Sequence, residues 1–225
     1  MAYTTIDDPS AYFQTVIWTG DGNDDRSITF DGNSDMQPDM VWTKRRPTAS
    51  SHGLRDSTRG AVVELFPDSN AADTSVSDRF QAFESDGFQV GTNADINGTS
   101  NNTYVAWAWK ANGGTRTTNT ESGNNPGGGY QENTTAGFSI VDYTGTGGAG
   151  TMSHGLGAVP QMIILKERDN AQSWYVYHHT LGNNTELLLD HDYATGSPSK
   201  WNSTTPTSSV FSLATNDSVN QDATG

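Results

Sequence analysis

The chain has 225 residues with 26 acidic against 12 basic side chains, a formal net charge of −14, and no cysteine. Such a charge repels a phosphate backbone and the largest basic cluster is Lys44-Arg45-Arg46, so nucleic acid is set aside as a partner. Without thiols there is neither a disulfide framework nor a thiolate metal site, and no apolar run approaches the roughly 20 residues that span a bilayer, so membrane insertion is not expected.

Met1-Ala2-Tyr3-Thr4-Thr5-Ile6-Asp7-Asp8-Pro9 lacks the basic and apolar regions of a signal peptide, which points to synthesis in a cytoplasm without export by that route. Six Trp, eight Tyr and eight Phe argue against disorder, because disordered chains are poor in large rings. Along the first half, Tyr12–Thr19, Arg26–Phe30, Met40–Lys44, Val62–Phe66, Phe88–Gly91 and Tyr104–Lys110 read as strands separated by Gly, Asn and Asp turns. Val76, Phe80 and Phe83 fall at i, i+4 and i+7, which predicts one short helix. Residues 111–135, with Asn124-Asn125-Pro126-Gly127-Gly128-Gly129, have the composition of a linker, with room for one strand around Tyr130.

The second half repeats the first. Phe13-Gln-Thr-Val-Ile-Trp-Thr-Gly20 aligns with Phe138-Ser-Ile-Val-Asp-Tyr-Thr-Gly145, exchanging Trp18 for Tyr143. Pro38, Met40, Lys44 and Arg46 match Pro160, Met162, Lys166 and Arg168; Gly60, Glu64 and Leu65 match Gly182, Glu186 and Leu187. Phe88, Thr92, Asn93, Ile96 and Asn97 match Phe211, Thr215, Asn216, Val219 and Asn220. The expected architecture is therefore all-β, with two tandem β-sandwich domains of jelly-roll or concanavalin-like type related by internal duplication, over 1–110 and 136–225. The second copy stops where a counterpart of Tyr104–Lys110 should begin, so its last strand is expected either to follow in a longer protein or to come from a partner by strand addition.

Candidate chemistry is sparse. Gly145-Thr-Gly-Gly-Ala-Gly150 has the spacing of a dinucleotide loop, but no helix start follows it, so a β-turn is expected. Asp21, Asn23 and Asp25 alternate like calcium ligands yet lack the later glycine and acidic positions; Asp31, Asn33 and Asp35 are similar. His178 and His179 would point to opposite faces of a strand, which leaves no metal site even with His191 nearby. No nucleophile elbow or triad context stands out, so neither a catalytic residue nor a cofactor is assigned. Trp107 and Trp109 share one strand face, as do Tyr175 and Tyr177. These four rings are carbohydrate-binding candidates if exposed and core residues if buried.

Phe138-Ser-Ile-Val-Asp-Tyr-Thr-Gly145, His154-Gly-Leu-Gly-Ala-Val-Pro-Gln-Met-Ile-Ile-Leu-Lys166, Trp174-Tyr-Val-Tyr-His178 and Pro206-Thr-Ser-Ser-Val-Phe211 resemble a repeat of uncharacterised structural proteins in tailed bacteriophages, especially marine and cyanobacterial ones. The N-terminal copy, from Met1-Ala-Tyr through Asp86-Gly-Phe88 to Tyr104-Val-Ala-Trp107, resembles the same family. The resemblance implies a sandwich akin to lectin or laminin-G modules. It also implies a non-enzymatic place in the virion, assembled in the bacterial cytoplasm, on a tail fibre or tail tip, with capsid decoration or head fibre as the alternative. Its partners would be other virion proteins and itself, as a homo-oligomer (a trimer is usual in fibres), and a host surface glycan. A carbohydrate-binding adhesin and, last, a polysaccharide depolymerase are the rival functions.

Overall fold

The structure, a computed structural model, describes residues 6–99, 101–192, 196 and 200–222; the first residues of the N-terminal motif, 1–5, lie outside them. The protein is all-β, with several antiparallel sheets, none of them closed. It divides into two compact units. Unit 1 holds residues up to 66 and 73–114; unit 2 holds 67–72 and the residues from 115 onward.

Unit 1 contains β1 (Phe13–Thr19), β2 (Arg26–Ile28), β3 (Met40–Arg45), β4 (Gly53–Asp56), β5 (Val63–Glu64), β6 (Thr74–Ser75), β7 (Phe80–Glu84), β8 (Gly87–Val90), the short helix α1 (Ala94–Asn97) and β9 (Thr103–Trp109). One sheet runs β1-β9-β3-β4 and a second β2-β8-β7. They meet through a single core: Trp18, Val41, Tyr104, Ala106 and Ala108 from the first sheet pack with Ile28, Phe80, Phe88 and Val90 from the second. Strict alternation in β9 produces this, because every second side chain crosses to the other face: Tyr104, Ala106 and Ala108 are fully buried while Val105, Trp107 and Trp109 are not.

The helix expected around Phe80 is instead strand β7. A bulge between Phe80 and Ala82 adds one residue opposite β8, which turns Phe80 and Phe83 to the same side with ring centroids 4.9 Å apart. Spacing of three along a bulged strand thus imitates one helical turn. β4 was also missing from the strand expectations; its Gly53-Leu-Arg-Asp56 lacks apolar alternation and is buried at every position.

Unit 2 contains β10 (Thr117–Asn119), β11 (Gly128–Asn133), β12 (Phe138–Tyr143), β13 (Gly150–Ser153), β14 (Met162–Leu165), β15 (Tyr175–His178), β16 (Leu187–Leu188), β17 (Val210–Leu213) and α2 (Asp217–Asn220). Its sheets run β10-β11-β12, β14-β15-β16 and β13-β17. Residues 111–135, expected to form a linker, carry two of these strands, and Gly/Asn-rich 120–127 closes their hairpin with Ser122 and Asn125 exchanging backbone hydrogen bonds. The start of that segment is pinned in unit 1: buried Asp39 accepts from the backbone N–H of Ala111, Gly113 and Gly114 at 2.7–2.9 Å. The core of unit 2 is Met152, Leu165, Tyr175, Tyr177, Trp201, Phe211, Leu213 and Val219, with Val141, Tyr143 and Ile163 packed against it.

Several local arrangements occur once in each unit. Trp18 Nε1 donates to the carbonyl of Ile96 at 3.0 Å, and Tyr143 Oη donates to that of Val219 at 2.5 Å. Asn97 Oδ1 accepts from the N–H of Asp21 and its Nδ2 donates to the carbonyls of Asn23 and Gly91; Asn220 does the same with Thr146, Gly148 and Ala214. Gly20 and Gly145 are glycines for one reason, since a side chain would strike the carbonyl oxygen of Gly98 in one unit and of Gln221 in the other. Ile28 pairs with Phe88 as Met152 pairs with Phe211, and Val41 with Arg55 as Ile163 with Tyr177.

Candidate functional site

The outward face of the β1-β9-β3-β4 sheet gathers Phe13, Trp42, Trp107 and Trp109. Register places Trp109 between Phe13 and Met40, Trp107 between Thr15 and Trp42, and Val105 between Ile17 and Lys44. Phe13 and Trp109 rings lie 5.1 Å apart and tilted; Trp42 and Trp107 meet edge to face at 6.4 Å. Trp42 is fixed further by its Nε1 donating to His52 Nδ1 at 2.9 Å, which sets that nitrogen as the acceptor. Phe13 is 39 % exposed and Ile17 60 %, whereas Trp42, Trp107 and Trp109 are partly buried. Rings held by edge and tilt contacts form a stiff platform able to stack on a flat apolar surface of a ligand or partner.

The four candidate rings do not act together. Trp107 and Trp109 lie on this platform. Tyr175 and Tyr177 are 9 % and 2 % exposed within the core of unit 2. Tyr177 meets Trp201 edge to face at 5.8 Å, and Lys200 Nζ stands 4.5 Å from the centroid of Tyr175. Both faces of β15 are covered, since Trp174 and Val176 are buried too and Trp174 Nε1 donates to the carbonyl of Ser69, so alternation alone could not reveal an outward face. Sequence reasoning missed Phe13, Trp42 and His52 as platform members. The readable signal was the alternation of Phe13, Thr15 and Ile17 against Gln14, Val16 and Trp18.

The remaining motifs are structural in geometry. Residues 144–149 form the loop from β12 into β13, folded around Asn220, and Gly150 already opens the strand. Asp21 and Asn23 wrap Asn97 in the same manner, with Asp21 Oδ1 accepting from the N–H of Asn23. His178 bonds Thr180 Oγ1, and His191 lies 3.2 Å from Asp190. Among the described residues no three His, Asp or Glu side chains come together as a metal set.

One buried ionic cluster lies in unit 1. Arg55, 2 % exposed, donates to Thr43 Oγ1 at 3.0 Å and to Glu64 Oε1; Arg79 donates to Glu64 Oε2 at 2.6 Å and to Asp95 Oδ2 at 2.8 Å. Burial pulls the Arg55 guanidinium down to about 10, opposed by the Glu64 carboxylate, so it stays cationic at neutral pH. With both Glu64 oxygens occupied and Arg55 also against the Phe80 ring, the cluster ties β4 to the core.

A family model described as a domain of unknown function, DUF7483, matches residues 8–224. Neither a curated protein nor a solved structure matches the chain.

Proposed function

We propose, for a chain that belongs to the DUF7483 family of domains of unknown function, a non-enzymatic attachment role in a phage virion appendage, a tail fibre or tail tip, carried by two copies of one sandwich unit. The observation that carries the attachment role is the aromatic platform of unit 1, an apolar face on a strongly acidic chain; such faces mark contact sites on soluble proteins. The two-copy reading is supported by the matched hydrogen bonds of Asn97 and Asn220, of Trp18 and Tyr143, and by the matched registers. The virion setting rests on the sequence resemblance. Mass spectrometry and cryo-electron microscopy of purified particles test it: density for the chain at a tail position is expected, density on the capsid would replace the appendage by a decoration role, and presence in lysate with absence from particles would overturn both.

The partly exposed Trp107 and Trp109 rings beside Phe13 also favour a carbohydrate ligand, because sugar faces stack on aromatic rings. Glycan-array binding by the wild-type chain, with a loss of roughly thirtyfold or more in the Trp107→Ala/Trp109→Ala variant, is the expected result, given what central Trp contacts contribute. A blank array removes this reading and leaves the platform as a surface for other virion proteins or for a second copy.

A further inference from the structure

We propose that the aromatic platform of unit 1 takes an acidic saccharide, stacking sugar rings on its tryptophans and setting a carboxylate against Arg46. The inference rests on the carbohydrate reading of the platform and names the class of sugar. Pairing continues past the end of β3, the N–H of Arg46 donating to the carbonyl of Thr103 at 2.8 Å, so by strand alternation Arg46 stands on the same face as Trp42 and Lys44. Register orders that face along the strands: Trp42 beside Trp107, next Lys44 beside Val105, and last Arg46 beside Thr103, which itself pairs with Thr19. Four residues of extended chain separate Trp42 from Arg46, about 13 Å, so a ligand that touches both is an oligosaccharide rather than a single ring.

Charge marks this end of the sheet. The chain carries 26 acidic residues, yet β1, β3 and β9 contain none, and the carboxylate of β4, Asp56, lies opposite Met40 at the other end, where Arg59 Nε donates to it at 2.5 Å. The two cations of the face do different things. Lys44 Nζ donates to the carbonyls of Arg45 at 2.6 Å and Thr48 at 2.8 Å, and Lys166 of unit 2 braces the carbonyls of Glu167 and Asn170 in the same way, so this lysine serves its turn. The Arg46 side chain is exposed and, among the described residues, makes no hydrogen bond or ion pair. Its guanidinium is a planar fork that matches a carboxylate. The net charge of −14 does not oppose such a ligand: fields from charges elsewhere fade within about 8 Å at physiological ionic strength, and a short acidic saccharide lacks the continuous charge of a nucleic-acid backbone.

An array of neutral, sulfated and carboxylated oligosaccharides, each carboxylated member beside its carboxyl-reduced form, tests this on the full chain, with calorimetric titration of the strongest pair. The carboxylated member should bind about threefold to fivefold more tightly, the upper range for an exposed charge pair. Arg46→Gln should abolish that preference. Arg168→Gln, which changes the net charge equally but in unit 2, should leave it intact, and Trp107→Ala/Trp109→Ala should lose both members. Equal binding of the two members, hits confined to neutral or sulfated sugars, a preference that survives Arg46→Gln, or one that falls as much with Arg168→Gln would each overturn the acidic-sugar inference while the carbohydrate reading stands. Absence of binding to every member sinks both.

Discussion

On the two-copy reading proposed above, unit 1 and unit 2 solve one packing position with opposite chemistry. Where Val41 pairs with Arg55, the buried Arg55 guanidinium and Glu64 carboxylate are joined by the partly buried Arg79, which reaches out to the partly exposed Asp95; where Ile163 pairs with Tyr177, the buried neighbours are Trp201 and other apolar side chains. The difference teaches that the position demands volume and contact rather than charge. A buried ion network persists only while each member is satisfied, and its hydrophobic replacement is often no worse. In unit 2 a cation, Lys200, stands over the Tyr175 ring and donates to the Asn216 side chain at 3.0 Å.

The largest expected effect breaks that comparison from the ionic side. Glu64→Ala leaves Arg55 buried without its carboxylate and removes one partner of Arg79, which should cost unit 1 about 3–5 kcal/mol. The double variant Arg55→Met/Glu64→Leu, which makes unit 1 resemble unit 2, should recover most of the loss. Hydrogen exchange in β4 and β7, read separately from β14 and β15, checks both. If Glu64→Ala proves silent, or the double variant is worse than the single one, the network holds the fold in a way that the apolar version cannot replace.

Sequence alone carried the strands whose alternation survives into the structure: β1, β3, β8 and β9 fall within a residue or two of expectation. What it could not carry follows from physics. A bulge disguised β7 as a helical turn, burial on both faces hid β4 and the orientation of Tyr175 and Tyr177, and the successive hairpins β10–β11 and β11–β12 are hard to see in a Gly-rich composition. The platform was half readable, since Trp107 and Trp109 were placed on one face, but only the register of β9 between β1 and β3 adds Phe13 and Trp42 to it.

An intermediate effect sharpens the comparison from the side of likeness. Asn97 and Asn220 are 0 % and 1 % exposed, and each holds the loop after its unit's first matched strand through both ends of its amide. Asn97→Ala and Asn220→Ala each leave buried backbone groups unpaired, at roughly 1–3 kcal/mol. Losses of similar size, each confined to exchange within its own unit, are expected. A large cost in one and none in the other would mean that the two loops are held differently despite their matched bonds.

The smallest effect distinguishes the units by pH. His154 is buried in unit 2; its Nε2 lies 3.2 Å from the carbonyl of Thr207 while Nδ1 accepts from the N–H of Leu156 at 3.3 Å. That pairing fits the neutral ring with Nε2 protonated. Burial lowers its pKa below the ordinary value of 6.5, against the Thr207 carbonyl, which raises it. The unfolded chain then binds the proton more readily than the folded one, so stability rises with pH through this range. Above the unfolded value the group contributes no penalty; as pH falls through 6.5 toward the lowered folded value, unit 2 weakens, and below that value the loss levels off. Urea melts of the wild type from pH 8 to 5, followed at β13 and β17, should show that slope, and His154→Gln should flatten it while leaving unit 1 unchanged. A slope that survives the substitution would assign the titration to carboxylates elsewhere in an acidic chain, and would remove His154 as a difference between the two units.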